Sequence, residues 1–405
     1  MDLEYGPKYE AFRQEVCGFL ESHRPQAPVR FSGTGGRPTP EVIAWQRLLL
    51  ERGYTARTIP KAYGGFGAEP DLLARIILDE EFARSGLPPG LGGQGPDMLV
   101  PTLLEHGSEE QKQRYIAPTL RGEIIWCQGY SEPGSGSDLA SLQTRGVDDG
   151  DDFLVSGQKI WTSSAHYSDM MFCLVRTEPE ALRHAGISYL LIPMSTPGIR
   201  VRPLRTMTGG AEFNEVFFDG VRVPKANLVG KRGEGWRIAN ATLVHERNML
   251  GSSSQLEAAF AGLVRLMQQE TESGVSMLAS PVLRDRLVRL QARVVAAKYH
   301  ALRLLTCRLR SESAGIAQLV VKLTGCELAH QINALALDAM GELGMLYQRS
   351  AYERANGRWL FGYMFSLGLI IGGGTAQIQK NIIAERGLGM PREASNRAAV
   401  ARSEA

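Results

Sequence analysis

Trp126-Cys127-Gln128-Gly129-Tyr130-Ser131-Glu132-Pro133-Gly134-Ser135-Gly136-Ser137-Asp138 is followed closely by Gly157-Gln158-Lys159-Ile160-Trp161-Thr162-Ser163-Ser164. The first stretch is a run of turn formers with exposed backbone N–H groups and hydroxyls. The second reads as a strand that carries one large aromatic into a polar turn. An aromatic face beside hydroxyls and amides suits a flat ring with polar edges. A purely structural loop fits that spacing equally well.

Outward from these segments the periodicity changes twice. Residues 1–122 read as helices broken by Gly/Pro loops, with apolar positions at helical spacing in Glu41 to Arg52 and Asp71 to Arg84. Ser108, followed by Glu109 and Glu110, has the makings of a helix start: a capping hydroxyl with acids in the first turn. Over 123–235 the pattern shortens. Met170 to Arg176 and Ile187 to Met194 are apolar runs of strand length. Asp149-Gly150 and Asp219-Gly220 are hairpin-type turn signals. Pro193, Pro203 and Pro224 belong at strand ends or sheet edges. Over 236–405 helix returns, with Leu283, Leu287, Leu290, Val294, Ala297, Ala301 and Leu304 forming one stripe and Arg284, Arg286 and Arg289 off it. The predicted architecture is a mainly α fold: an N-terminal helical domain (1–122), an inserted β domain of barrel or sandwich type (123–235) and a C-terminal helical bundle (236–405).

Bulk properties narrow the function. The 405 residues carry a formal net charge of +2, which favours neither nucleic acid nor a membrane surface as partner. The five cysteines have no CxxC or other metal-ligand spacing, so neither a disulfide framework nor a metal site is expected. Met1 to Lys8 lacks a basic start followed by an apolar run, and no stretch approaches the ~20 apolar residues of a membrane span, so the expected location is the cytoplasm.

Taken together the two opening segments resemble the flavin-binding segments of the acyl-CoA dehydrogenase family. The resemblance continues in Pro60-Lys61-Ala62-Tyr63-Gly64-Gly65, Val221-Arg222-Val223-Pro224, Gly233-Glu234-Gly235-Trp236, Thr375-Ala376-Gln377-Ile378-Gln379 and Ile382-Ile383-Ala384-Glu385-Arg386. It implies FAD as cofactor, an acyl-CoA thioester as substrate, α,β-dehydrogenation to the trans-2-enoyl-CoA, transfer of electrons to an electron-transferring flavoprotein, and a tetramer. By the same resemblance Tyr130 and Ser131 lie beside the flavin pyrimidine edge, Trp161 flanks the isoalloxazine, and Ser163 bonds N5. Ser137 lies near the flavin and the CoA arm, while Thr375 and Gln377 contact the FAD phosphate and ribose region. Gln128 replaces the family's more usual aromatic and is not assigned as a ligand.

The reaction removes the α-proton of a weakly acidic thioester, which calls for a carboxylate against the α-carbon and hydrogen bonds to the thioester oxygen. Most family members carry that carboxylate where this chain has Gly373, within Ile371-Gly372-Gly373-Gly374-Thr375. Glycine deletes the acid and keeps the backbone N–H that meets the thioester oxygen. Isovaleryl and long-chain types place the base on another helix directly before an arginine, and Glu246-Arg247 matches that pattern. Alone, Glu246 is better read as a surface or helix-terminus acid paired with Arg247. With glycine at 373, the pattern assigns it as catalytic base, and Arg247 as the residue that helps hold the CoA portion.

Two other family segments, which usually reach the FAD of a neighbouring subunit, are altered. One reads Ser273-Gly274-Val275-Ser276-Met277, without its arginine; the other reads Asp338-Ala339-Met340-Gly341-Glu342-Leu343-Gly344, with two added acids. Carboxylates beside a pyrophosphate repel it. Two assemblies meet these departures: a heterotetramer in which a homologous subunit supplies the contacts, as in heteromeric steroid side-chain dehydrogenases, and a homotetramer that holds FAD by other residues. An oxidase or flavin monooxygenase on the same scaffold, and a non-catalytic subunit marked by the missing acid, are the alternative functions.

Overall fold

A computed structural model describes residues 6–28, 36–181, 183–249, 252–269, 275–347 and 350–391, the side chains of 246–249 excepted. The chain divides into two compact units, Met1–Met249 and Leu250–Ala405.

The first unit begins with five helices: α1 (Pro7–His23), α2 (Pro40–Arg52), α3 (Leu72–Ser85), α4 (Val100–His106) and α5 (Glu109–Leu120). Val16, Phe19, Trp45, Leu49, Leu78 and Phe82 pack α1, α2 and α3 around one apolar core. The expected start at Ser108 is a full capping box. The Ser108 hydroxyl accepts from the Gln111 N–H, and the Gln111 side chain accepts from the Ser108 N–H.

An eight-stranded sheet follows: β1 (Trp126–Gly129), β2 (Arg145–Asp149), β3 (Asp152–Ser163), β4 (Met170–Arg176), β5 (Ile187–Pro193), β6 (Ile199–Leu204), β7 (Phe213–Pro224) and β8 (Leu228–Val229). Their order is β6-β7-β3-β2-β4-β5-β8, with β1 pairing β4 in parallel. Strand β4 shows why its sequence is continuously apolar. Phe172 and Leu174 join a core with Leu103, Ile116, Tyr189 and Ile238, while Met171, Cys173 and Val175 join another with Phe153, Val155 and Val221. Alternate residues face opposite sides, and both sides are covered. Pro193 and Pro224 end β5 and β7, and Pro203 lies on the edge strand β6, where a missing N–H is tolerated. The unit closes with α6 (Gly235–Met249).

One turn expectation fails. Asp149-Gly150 does close the tight β2–β3 hairpin, with Asp149 opposite Asp152. Asp219-Gly220 closes nothing: β7 runs through it, paired to β3 on both sides. Val155 faces Val221 and Gly157 faces Phe218, so β7 carries one extra residue there. Gly220 takes φ 59° in this bulge, and its N–H reaches the Ser156 hydroxyl at 3.3 Å. An Asp-Gly pair supplies the positive φ that either a turn or a bulge needs, and the long pairing with β3 decides between them.

The second unit contains α7 (Ser253–Met267), α8 (Pro281–Leu309), the short α9 (Ile316–Leu319), α10 (Val321–Met340), α11 (Arg358–Ile371) and α12 (Ala376–Ile382). Leu256 and Leu263 of α7, Leu287, Leu290 and Val294 of α8, Leu328, Ile332 and Leu335 of α10, and Trp359 of α11 form a shared core, the packing of a four-helix bundle. No single helix among the described residues is long and apolar enough to cross a membrane. A bent pair, Ala355–Ile371 with Ala376–Gly387, has that length and composition.

Candidate active site

In the first unit the two motif segments are joined by a buried ion pair. Lys159 points inward from β3 and is fully buried. Its Nζ donates to Glu132 Oε1 at 2.8 Å and to the Tyr130 carbonyl at 3.0 Å. Glu132 also accepts from the backbone N–H groups of Gln143 (2.6 Å) and Thr144 (2.9 Å). The Ile160 N–H donates to the Ser131 carbonyl at 2.9 Å. One lysine and one glutamate thus pin the loop after β1 to the strand that carries Trp161 and Ser163. Burial works to raise the Glu132 carboxyl; the Lys159 charge and the hydrogen bonds outweigh it and hold the group below the usual carboxylate range.

The end of β3 is irregular where the chemistry is expected. Lys159 faces Val216 and Thr162 faces Asn214, a second bulge, and Trp161 sits in it with φ 61°. A left-handed backbone is costly for a bulky residue and needs support from its surroundings. Here it turns the indole outward, 59% exposed, edge-on to Phe213 at 6.1 Å. Ser163 is half-buried between Trp161 and Ser164, which has φ 65°. This turn is held on three sides. Asn214 Nδ2 donates to the Thr162 carbonyl (2.9 Å), the Ser164 N–H to the Glu212 carbonyl (2.8 Å), and the Tyr167 hydroxyl to Ser164 Oγ (2.6 Å). Ser131 is half-buried and Ser137 exposed. The Tyr130 ring packs edge-on against Phe172 and Tyr189 in the core. An outward aromatic face with the Ser131 and Ser163 hydroxyls beside its strand is the donor set that a flat heteroaromatic ring with polar edges requires, so these residues fit a flavin.

Glu246 and Arg247 lie on α6, and their side chains fall outside the described residues. Their neighbour His245 bonds Glu105 at the end of α4, Nε2 to Oε1 3.1 Å.

The second unit holds Gly373, Thr375 and Gln377. Helix α11 ends with the Gly372 N–H donating to the Gly368 carbonyl at 2.7 Å. Gly373 and Gly374 follow at φ 64° and 94°. Two side chains that the sequence reading missed hold this loop. Lys322, buried on α10, donates Nζ to the carbonyls of Ile370 (3.1 Å) and Gly374 (2.7 Å); Gln379 Nε2 donates to the Gly373 carbonyl at 3.2 Å. A signal for Lys322 was present: it is a lone charge on the stripe of Cys326, Leu328, Ile332 and Leu335 that α10 buries. The Gly373 N–H makes no hydrogen bond among the described residues. The Thr375 hydroxyl caps α12 by accepting from the Ile378 N–H (3.2 Å), and Gln377 is exposed.

Of the two altered segments, Ser273 and Gly274 lie outside the described residues, and the Ser276 hydroxyl caps a short turn. Asp338 is paired with Arg286 at 2.5 Å, so this acid has a counter-charge within its own chain, whereas Glu342 is exposed.

Replacing Lys322 by Met leaves the carbonyls of Ile370, at the end of α11, and Gly374, in the glycine loop, without their charged donor. Bonds to charged groups contribute about 1.5–3 kcal/mol each, and the expected loss of stability is about 2–3 kcal/mol, read as a lower urea midpoint by circular dichroism. An unchanged midpoint would show that Lys322 does not hold the loop.

Comparison with known proteins agrees with this geometry. Models of the acyl-CoA dehydrogenase N-terminal, middle and C-terminal domains match residues 6–123, 127–221 and 233–388. The chain is 38% identical over 397 residues to acyl-CoA dehydrogenase IpdE1 of Mycobacterium tuberculosis, covering 95% of this chain and 98% of that protein. A solved structure described as the Tcur3481-Tcur3483 steroid ACAD matches with TM-score 0.83 at 29% identity, over 97% of this chain and 100% of that one. The ChsE4-ChsE5 complex from Mycobacterium tuberculosis matches with TM-score 0.78 at 29% identity, over the same shares. The chain belongs to the acyl-CoA dehydrogenase family. It is an FAD-dependent oxidoreductase with that family's helical, β and helical domains.

Proposed function

We propose that this chain dehydrogenates a bulky, steroid-derived acyl-CoA thioester to the trans-2-enoyl-CoA, with Glu246 as catalytic base and the Gly373 N–H as a donor to the thioester oxygen. The reading rests on that N–H: it belongs to a loop without a carboxylate, clamped from behind by Lys322 and Gln379, and it has no partner among the described residues. A donor already aimed where enolate charge develops contributes up to ~3–4 kcal/mol in favourable cases. Glu246 takes the α-proton. Arg247 and Ser137 hold the CoA portion. Trp161, Ser163, Ser131, Tyr130, Thr375 and Gln377 hold FAD, which when bound supplies the acceptor for the β-hydride. Electrons pass onward to an electron-transferring flavoprotein. The steroid assignment draws on the steroid ACAD among the structural neighbours.

The functional assembly pairs this chain with a homologous subunit that completes the FAD site. Glu342 and the arginine missing near Ser273 favour this, and the neighbours include a two-protein complex. The working location is the cytoplasm, and the domain limits are 1–122, 123–235 and 236–405.

A panel of acyl-CoA thioesters assayed with an artificial electron acceptor tests the substrate. Steroid side-chain thioesters are expected to exceed straight-chain ones in kcat/KM by about tenfold or more, the scale of one pocket's discrimination. Equal rates, or turnover as fast in air without an acceptor, would overturn the dehydrogenase reading as stated. Flavin per subunit of the chain purified alone tests the assembly: less than one FAD is expected, and full occupancy would refute the partner.

A further inference from the structure

Helix α6 is fixed to its neighbours by hydroxyls as well as by packing. Ile238 and Ala239 are buried in one core with Leu99, Leu103 and Tyr189. Apolar contacts are not directional, so they bury a helix face without closely fixing its rotation. Hydrogen bonds are directional and do fix it. Thr242 of α6, Thr102 of α4 and Tyr189 of β5 are all fully buried. The Thr102 hydroxyl donates to the Met98 carbonyl at 2.7 Å, in the π-helical turn Gln94–Leu99 that leads into α4. Its one proton is thereby used, so at 2.9 Å it accepts from the Thr242 hydroxyl, which shares its own proton with the Ile238 carbonyl at 3.1 Å. The Tyr189 hydroxyl adds a weaker link to Thr242 Oγ1 at 3.4 Å. The three hydroxyls form one chain with a single direction, from β5 through α6 to α4.

A second rung lies three residues on in both helices, where His245 Nε2 meets Glu105 Oε1 at 3.1 Å. The Glu105 side chain is 49% exposed, and an exposed pair of this kind contributes little, so the buried Thr102–Thr242 bond carries most of the constraint. Glu246 follows Thr242 by four residues, about one helical turn, on the same face of α6. We infer that Thr242 and Thr102 are positioning residues: the buried bond between them sets the rotation of α6 against α4, and with it the place of Glu246. This rests on the reading of Glu246 as base and adds what holds that base in register. The requirement is strict, because a 1 Å misplacement at a reacting group costs about 10²-fold in rate.

Turnover of the FAD-loaded enzyme is measured with an artificial electron acceptor, beside amide hydrogen exchange along α6. The variants are Thr242→Val, Thr102→Val, the two together, and Thr242→Ser. Thr242→Val is also made in a Glu246→Gln background. Valine keeps the shape of threonine and removes its hydroxyl. Thr242→Val is expected to lower kcat by about tenfold to a hundredfold, with flavin content and circular dichroism unchanged. Exchange over residues 243–249 speeds up as the helix loosens. Thr102→Val gives a similar loss, and the double variant is no worse than either single one, because each removes the same bond. Thr242→Ser keeps the hydroxyl and restores turnover. In the Glu246→Gln background Thr242→Val costs nothing further, since the group it positions is gone. Full turnover of Thr242→Val, no rescue by serine, or the same fold-loss in the Glu246→Gln background would overturn the inference. Thr102→Val, which leaves Thr242 its bond to Ile238, decides the matter should Thr242→Val not fold. If Glu246→Gln turns over like the wild type, the base reading and this one fall together; if Glu246→Gln is slow while Thr242→Val is not, this one alone falls.

Discussion

Glu246→Gln is expected to slow dehydrogenation by orders of magnitude while flavin stays bound. The substitution keeps the shape of the side chain and removes its ability to accept a proton. General base catalysis contributes about 10²–10⁴-fold, so kcat is expected to fall by about that factor. The base acts in the transition state, so kcat/KM falls in step and KM barely moves. The check is steady-state turnover with an artificial acceptor beside the visible flavin spectrum. A variant with unchanged turnover would transfer the role to another acid. A variant that lost flavin as well as activity would show that Glu246 acts through the cofactor site rather than on the α-carbon.

Lys159→Met is expected to have the largest effect on stability. Lys159 is fully buried and Glu132 nearly so, and removing one partner of a buried pair leaves the other charge uncompensated, at about 3–5 kcal/mol. The pH dependence separates this cause from lost packing. In the wild type Glu132 is held below the ordinary range by Lys159 and its hydrogen bonds, against the pull of burial. A depressed carboxyl contributes stability that is present above its unfolded value of about 4.3 and is lost as pH falls through the folded value. In the variant the counter-charge is gone and burial raises the carboxyl. The deficit is then full at neutral pH and shrinks as the solution is acidified and Glu132 takes up a proton. Urea titrations from about pH 5 to 8 read this directly. A deficit constant across that range would point to packing instead. Since the pair also fixes Tyr130 and Ser131 against Ile160, the variant should bind FAD more weakly, seen as released flavin fluorescence.

Much of the fold was legible. Met170 to Arg176 and Ile187 to Met194 read as buried strands because both sheet faces are covered, which makes an uninterrupted apolar run. The α8 stripe read as a bundle helix because Leu287, Leu290 and Val294 keep helical spacing. The prolines marked strand ends and an edge. Asp219-Gly220 was misread because the dipeptide specifies a backbone angle, and the angle serves a turn and a bulge alike. The candidate site was legible as chemistry and opaque as geometry. Trp161 and Ser163 stood out by residue type, while the left-handed backbone that turns the indole outward depends on Asn214 and Glu212, far along the chain, and on Tyr167, just past the turn. Asp338 read as an uncompensated acid until Arg286, 52 positions away, proved to face it.

By itself the sequence determined the order of helical, β and helical segments, the family, the loss of the acid at 373 and the candidate replacement at 246. Each is written in residue identity or in a period of two to four residues, and neither needs a distant partner to be read. Only the tertiary structure decided which polar groups are spent inside the protein. It commits Lys159 and Glu132 to each other and Lys322 and Gln379 to the glycine loop, and among the described residues it leaves the Gly373 N–H without a hydrogen bond. Those outcomes depend on which groups meet across long sequence separations, and burial makes each such meeting selective because an unmatched polar group in the interior is costly.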